Sequence, residues 1–276
     1  MLPVCAFLDI DGTIIGDITP QVTCWEILKD LGSKNMPRFR TSLIHHLKNG
    51  LVRNGFADFL NIVKRAYPNI EFFIYTASIG PWAAYLIPCI EIALDIKFHR
   101  PFFTRNHCHK SNMTKSLEEV MPLVIKSLKR ESKYEDVTID MKSMKNRSFI
   151  VDNNDVLVKR ETSRWIQAPT YSGMPMIDIL SFLDDATITN KYLRIAGILQ
   201  HNNMLPRMSL KHLTLDAFKS IYYRTMAQMI DANAKSMHHT DQYWIKLANI
   251  LVRADVKDGA FKDSVIVYVN RKMNKK

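Results

Sequence analysis

Two carboxylates one residue apart, Asp9 and Asp11, follow a short apolar run (Val4 to Leu8), and Gly12 and Thr13 come directly after them. The run is too short for a helix and reads as a buried strand. If the chain stays extended to its end, side chains two apart share a face, so both acids project together beyond the strand. Carboxylates held in this way make a hard-cation site and a costly like-charge pair. Gly12 permits the tight exit turn. A strand running into an Asp-Gly turn would account for Asp11 and Gly12 but leaves Asp9 unexplained. At about 5% usage per residue type, D-x-D-G-T arises by chance in roughly two chains per thousand of this length.

Two further strand ends carry polar groups. Ile70 to Tyr75 reads as a strand running into Thr76-Ala77-Ser78, where a hydroxyl and backbone amides can meet a phosphate oxygen. Arg147 to Val151 reads as another, running into Asp152-Asn153-Asn154-Asp155. Open α/β sheets gather their sites beyond strand ends of this kind.

The elements that must position these groups alternate between the two periodicities. Gln21 to Leu31 has helical spacing with Gly32 as a C-cap, Ser33 to Arg40 reads as a loop, and Thr41 to Lys48 as a second short helix. Gly55 to Ala66 is amphipathic, with Phe56, Phe59, Leu60 and Val63 on one face. Pro81 to Leu94 reads as a helix, Ile96 to Phe103 as a strand region, and Lys115 to Leu128 as a helix with Thr114 as N-cap and Glu118 completing a capping box. Trp165 to Ala168 is a last strand and Met176 to Asp184 a closing helix. The alternation predicts an α/β fold, a Rossmann-like parallel sheet flanked by helices with no large cap, plus a C-terminal helical region. From about Lys191 helical periodicity dominates, in Met208 to Met229 and Asp241 to Arg253, so a boundary is placed near Asn190. This gives a domain over 1–190 and a basic, mainly helical one over 191–276.

Composition narrows the class. At 276 residues, 47% hydrophobic and 24% charged, the chain can bury one sizeable core and a second small domain. Of the net charge of +11, +9 lies in residues 191–276, which hold 15 Lys/Arg against 6 Asp/Glu. A basic surface of this kind would suit nucleic acid or an acidic partner, and the terminal Arg271 to Lys276 reads as a mobile tail. Cys5, Cys24, Cys89 and Cys108 show no C-x-x-C spacing and read as reduced thiols, with His107-Cys108-His109 too small to complete a zinc site alone. Phe72 to Ile90 is 19 residues without a charge, long enough to span a bilayer, but Gly80-Pro81 and Pro88 break it into strand, turn and helix. The N-terminus lacks a basic n-region, so neither a signal peptide nor a membrane span is expected. The expected compartment is intracellular, cytoplasm or nucleus.

Cys5 to Thr19 resembles motif I of the haloacid dehalogenase superfamily of phosphohydrolases. Leu51 to Leu60 (LVRNGFADFL) is similar to the V-x-R-P-G-x-x-x-F-L block of FCP/SCP-type phosphatases, and Thr76-Ala77-Ser78 to their T-A-S motif. Arg105, Cys108, Asn112 and Lys115-Ser116-Leu117 resemble the R-x-x-C and K-x-L block, and Asp152-Asn153 the D-N motif. Gly12 stands where that family usually has Glu, Asn54 replaces a Pro, and the stretch between Lys115 and Asp152 is longer, holding a basic helix.

The resemblance implies a Mg²⁺-dependent phosphatase acting on phosphoserine or phosphothreonine of a protein through an aspartyl-phosphate. Asp9 would be the nucleophile and Asp11 the general acid and base; Thr76 and Lys115 would hold the phosphoryl oxygens. Lys110 and Lys142 are rivals to Lys115, which alone has the K-x-L context. Asp9, Asp152 and Asp11, through its carbonyl, would hold the metal, with Thr13, Asn153 and Asp155 in support. Sixty-seven residues separate Asp9 from Thr76, leaving room for a small lid at most, and an uncovered site admits macromolecules. A polynucleotide 3′-phosphatase, a small-metabolite phosphatase and a catalytically silent binding module are the alternatives; retention of both Asp9 and Asp11 weighs against the last. Oligomeric state is left open.

Overall fold

The computed structural model describes residues 1–173, 175–236, 241–254, 256 and 260–274. Five strands form one parallel sheet: β1 (Val4–Leu8), β2 (Ile70–Tyr75), β3 (His99–Phe103), β4 (Ser148–Asp152) and β5 (Trp165–Gln167), in the order β3-β2-β1-β4-β5. All residues of β1, β2 and β4 are buried, which is why they read as mainly apolar runs rather than alternating ones, with Glu71 of β2 held by Lys133 and Tyr134. β1 pairs with β2 on one side (Leu8 opposite Ile74) and with β4 on the other (Leu8 opposite Val151). The chain therefore changes direction across the sheet between β1 and β4, and their carboxyl ends are where such sheets place ligands.

The chain divides into two compact units, and each interleaves segments distant in sequence. The first comprises Met1–Ile15, Val52–Tyr171 and Thr240–Lys276. It holds the sheet with α3 (Phe56–Ala66), α4 (Gly80–Leu94), α5 (Leu117–Leu128), α6 (Met141–Lys145), α9 (Tyr243–Arg253) and α10 (Asp263–Met273). On one face, Phe7 stacks on Phe73 at 5.5 Å and meets Phe103 at 5.9 Å. The amphipathic α3 buries Phe56 and Phe59 against Trp244 of α9, with ring centroids 4.9 and 4.7 Å apart.

The second unit comprises Gly16–Leu51 and Ser172–His239. Its helices are α1 (Thr19–Asp30), α2 (Met36–His46), α7 (Asp185–His201) and α8 (Leu215–Ser236). Phe39 of α2 packs edge-on against Phe182 at 5.8 Å, Arg194 pairs with Asp30, and Asn202 donates to Glu26.

Several sequence expectations need correction. The boundary near Asn190 falls inside α7, and residues 191–276 are shared: α9 and α10 belong to the unit that holds the sheet, whereas α7 and α8 belong to the unit that holds α1 and α2. The expected loop Ser33 to Arg40 is helical from Met36, with Pro37 in the first turn, where its missing N–H costs nothing. The expected helix Met176 to Asp184 is a single 3₁₀ turn, Leu180–Phe182. Its backbone is bound from elsewhere: Gln21 donates to the Pro175 carbonyl, and the Ile179 N–H donates to Tyr222 Oη. Ser116, not Thr114, caps α5 by accepting from Glu119 N–H; Thr114 donates to Asn112 instead. Arg271 to Met273 close α10 rather than forming a tail, while Lys275 and Lys276 lie outside the described residues. No described helix is long and apolar enough to cross a membrane.

Candidate active site

Strand β1 ends at Leu8, and the Asp9 N–H donates to Val151 O at 3.0 Å, so the first acid is tied to the end of β4. Asp152 closes β4 itself. Between them lies Lys115, 1% exposed, whose Nζ donates to Asp9 Oδ1 and to Asp152 Oδ2, both at 2.7 Å. The lysine is fixed at its backbone by the loop after β4: its N–H donates to Val156 O (2.6 Å), and its carbonyl accepts from Val158 N–H (3.0 Å). Burial lowers a lysine pKa, but the Asp9 and Asp152 carboxylates outweigh it and hold Lys115 above its ordinary value. Lys110 and Lys142 are exposed, so burial separates the three lysines that sequence left in competition.

Asp11 is handled differently. Its Oδ2 accepts from Ser78 Oγ at 2.7 Å and, at 3.4 Å, from Thr76 Oγ1, while Oδ1 is buried without a hydrogen-bond partner among the described residues. Burial, with the Asp9 charge added, pushes the Asp11 carboxyl up to about 6. Asp152 is likewise pushed up to about 6, first by burial and then by Asp9, with Lys115 pulling it back. Asp11 and Asp152 stand at the carboxyl ends of the neighbouring strands β1 and β4, and carboxyls displaced by burial and a like charge are enriched at functional sites.

The turn between these acids is locked. Gly12 has φ +76°, and a Cβ there would sit 2.7 Å from Asn153 Nδ2, so both conformation and space require glycine. Thr13 Oγ1 donates to Asn153 Oδ1 at 3.1 Å and accepts from Asn153 N–H at 3.0 Å. Thr13 and Asn153 thus clamp the loop after β1 to the loop after β4. Asp155 is exposed and makes no hydrogen bond or ion pair with these groups among the described residues, so of the expected supporting residues two are bonded to each other across the loops and one is not.

Three contributors carried no assignable signal in the sequence. Ser78 stands in the T-A-S motif, yet nothing in its local context marks it as the hydroxyl that bonds Asp11. Glu161 is buried and accepts from Ser116 Oγ at 2.7 Å and Leu117 N–H at 2.6 Å, bracing the chain just after Lys115. Tyr75 Oη donates to His107 O at 2.6 Å and accepts from Ser116 N–H at 3.3 Å, joining the end of β2 to the same stretch. His107 is engaged structurally, its Nδ1 accepting from Thr104 N–H, and Cys108 is buried over Thr104 O.

No cluster of three or more His, Cys, Asp or Glu side chains gathers a metal among the described residues. A hard cation needing few carboxylates nonetheless fits the donor set. Asp9 and Asp152 bring carboxylate oxygens to one lysine head, and the Asp11 backbone carbonyl accepts no hydrogen bond from a described residue. Two hard anionic oxygens and a free carbonyl are what Mg²⁺ takes, alongside water and phosphate oxygens.

A profile of the family described as NLI interacting factor-like phosphatase matches residues 4–194. A search of curated proteins returns no significant match. Among solved structures, the fission yeast RNA polymerase II CTD phosphatase Fcp1 bound to beryllium fluoride is similar at 17% identity and a TM-score of 0.46, over 91% of this chain and 62% of that one. A second structure, of Fcp1 as an essential RNA polymerase II CTD phosphatase, is similar at 18% identity and a TM-score of 0.39, over 96% and 69% of the two chains. The HAD domain of the Legionella pneumophila effector Lem4 shows 11% identity and a TM-score of 0.30, over 84% and 98%. The chain spans less than two thirds of the length of the first of these structures.

Proposed function

Because the chain belongs to the NLI interacting factor-like phosphatases, we propose that it hydrolyses phosphomonoesters through an aspartyl-phosphate on Asp9, and that its substrates are phosphoserine or phosphothreonine side chains of a protein. The observation that carries this reading is the pairing of two differently held acids at one strand end. Asp9 has one oxygen fixed by Lys115, while Oδ2 accepts no hydrogen bond from a described residue and is free to attack phosphorus. Asp11, pushed up to about 6, carries a proton often enough near neutrality to give it to the departing ester oxygen. Asp11 then takes a proton from water as that water attacks the phosphoenzyme, which releases phosphate and restores the Asp9 carboxylate.

Lys115 remains an ammonium because both acids favour its charged form, and it lies where a phosphoryl oxygen on Asp9 would develop charge. Thr76 and Ser78 orient Asp11 at its Oδ2. Mg²⁺ would be held by Asp9, Asp152 and the Asp11 carbonyl, and when bound it supplies neutralisation of the phosphoryl charge. Family membership supports the protein substrate class. The spacing argument for an uncovered site has less force, because α1 and α2, in the segment Gly16–Leu51, form a compact unit with Ser172–His239 rather than a small lid of their own.

A panel of phosphoserine and phosphothreonine peptides, 3′-phosphorylated oligonucleotides and phosphorylated metabolites tests the assignment. The expected result is turnover of the peptides with the highest kcat/KM. Preferential turnover of an oligonucleotide or metabolite would replace the substrate class, and no turnover of any would refute the phosphatase reading.

A further inference from the structure

Within the sheet unit a cavity of about 760 Å³ opens between α5, α6, the segment after β4 and the start of α10. That lies within the range of small-ligand sites, roughly 300–1,000 Å³. None of the residues given a role in phosphoryl transfer lines it. Its floor is apolar, from Leu117, Met121 and Met141, and its wall is charged.

The wall's charges can be paired off. Glu118 bonds Arg160 at 3.2 Å and Asp263 bonds Arg164 at 3.4 Å, while Glu161 is taken by Ser116 and Leu117. Lys142 and Lys262 remain, both exposed and in no ion pair within 4 Å among the described residues, although Lys142 also faces the Asp140 carboxylate at the start of α6. Four cations (Lys142, Arg160, Arg164, Lys262) against three acids (Glu118, Glu161, Asp263) leave the lining net positive, with its two exposed ammoniums outside any ion pair, and this favours an anion. A floor of methionine and leucine favours an apolar body on it.

We propose that this cavity binds an organic anion carrying an apolar ring or chain, and that its occupancy is transmitted to Lys115 through Glu161. Glu161 lines the cavity and at the same time holds the two residues that follow Lys115. Arg160 Nε lies 3.8 Å from Glu161 Oε1. An anion that draws Arg160 towards the cavity changes the charge facing Glu161, and with it the brace on the Lys115 segment. The binding claim stands apart from the phosphatase reading; the coupling claim rests on it.

The test uses the full chain with 8-anilinonaphthalene-1-sulfonate, an aromatic sulfonate of the proposed class, followed by calorimetry. Saturable binding of one molecule per chain is expected. The double variant Lys142→Glu/Lys262→Glu should weaken it by about tenfold or more, and Lys142→Arg/Lys262→Arg should hold within about twofold. Both positions are exposed, so these variants should fold. Saturating ligand should also shift KM or kcat for p-nitrophenyl phosphate in the parent, and Glu161→Gln should bind the ligand yet lose that shift. Unchanged affinity in the Glu double variant, or no saturable binding, would overturn the site. Binding with no kinetic response would overturn the coupling. A parent without turnover would mark failure of the phosphatase reading and of the coupling with it, while calorimetry still decides the site.

Discussion

Glu91 and Asp11 are acids of the same sheet unit, and their surroundings treat them in opposite ways. Glu91 is fully furnished: Arg100 donates to both carboxylate oxygens at 2.8 Å, and Phe98 N–H adds a third bond at 2.9 Å. Burial alone would raise its pKa, yet these partners hold it below the ordinary value. Asp11 has one oxygen bonded to Ser78 and another with no partner among the described residues, beside the negative Asp9. Its pKa moves up. A buried carboxylate with a full set of donors serves stability, and one left short beside a like charge is held for chemistry at a cost to stability.

The contrast breaks most visibly at Lys115, which compensates two of the site's acids at once. Lys115→Met should abolish turnover and destabilise the chain by about 3–5 kcal/mol, since it leaves Asp9 and Asp152 buried without a counter-charge. Urea unfolding in EDTA measures this; a loss below about 1 kcal/mol would mean the acids are solvated once the lysine is gone.

Asp11→Asn and Glu91→Gln should move stability in opposite directions. Asp11 has a folded pKa raised from 3.8 to about 6, so its charged form is penalised in the folded state. That penalty is fully present above about pH 6 and gone below about pH 4. Asp11→Asn should therefore raise stability at pH 7 by about 1–2 kcal/mol in the metal-free chain, with the gain fading towards pH 4. Glu91 has a depressed folded pKa, so its contribution is present above the unfolded value of 4.5 and lost as pH falls through the folded one. Glu91→Gln should cost about 1 kcal/mol at pH 7, since Arg100 is half exposed and the pair is partly screened. Melting curves at pH 7 and pH 4 check both; shifts of the same sign would remove the distinction.

Ser78→Ala should make the smallest change in stability, within about 1 kcal/mol. Its effect should fall on kcat, by about tenfold, with little change in KM, because in the proposed mechanism it orients the proton donor rather than the substrate. Equal losses in KM would assign Ser78 to substrate binding instead.

The parts of this account that were legible in sequence are local ones. Asp9, Asp11 and Gly12 are readable because a strand, an acid pair and a positive-φ turn occupy consecutive positions, and the buried strands announce themselves as apolar runs. The division into units was not legible. The apolar face of α2 is covered by Phe182, far along the chain, and α9 belongs with α3 because Trp244 meets Phe56 and Phe59. No periodicity encodes which distant helix supplies such a partner. Glu161 is silent in the sequence for the same reason, since its bonds exist only once the segment after β4 folds back beside Ser116. Lys115 was separable from Lys110 and Lys142 in sequence only by its motif, whereas in the fold burial separates them.

In the proposed mechanism Asp9, fixed on one oxygen by Lys115, attacks phosphorus. Acid-quenching the protein with a ³²P-labelled phosphoester in the presence of Mg²⁺ should trap a phosphoenzyme that hydroxylamine releases and that maps to Asp9. The isosteric variant Asp9→Asn should fold as the parent does, turn over nothing and trap no label. A hydroxylamine-labile adduct on the Asp9→Asn chain, or label mapping to another residue of the parent, would contradict the account.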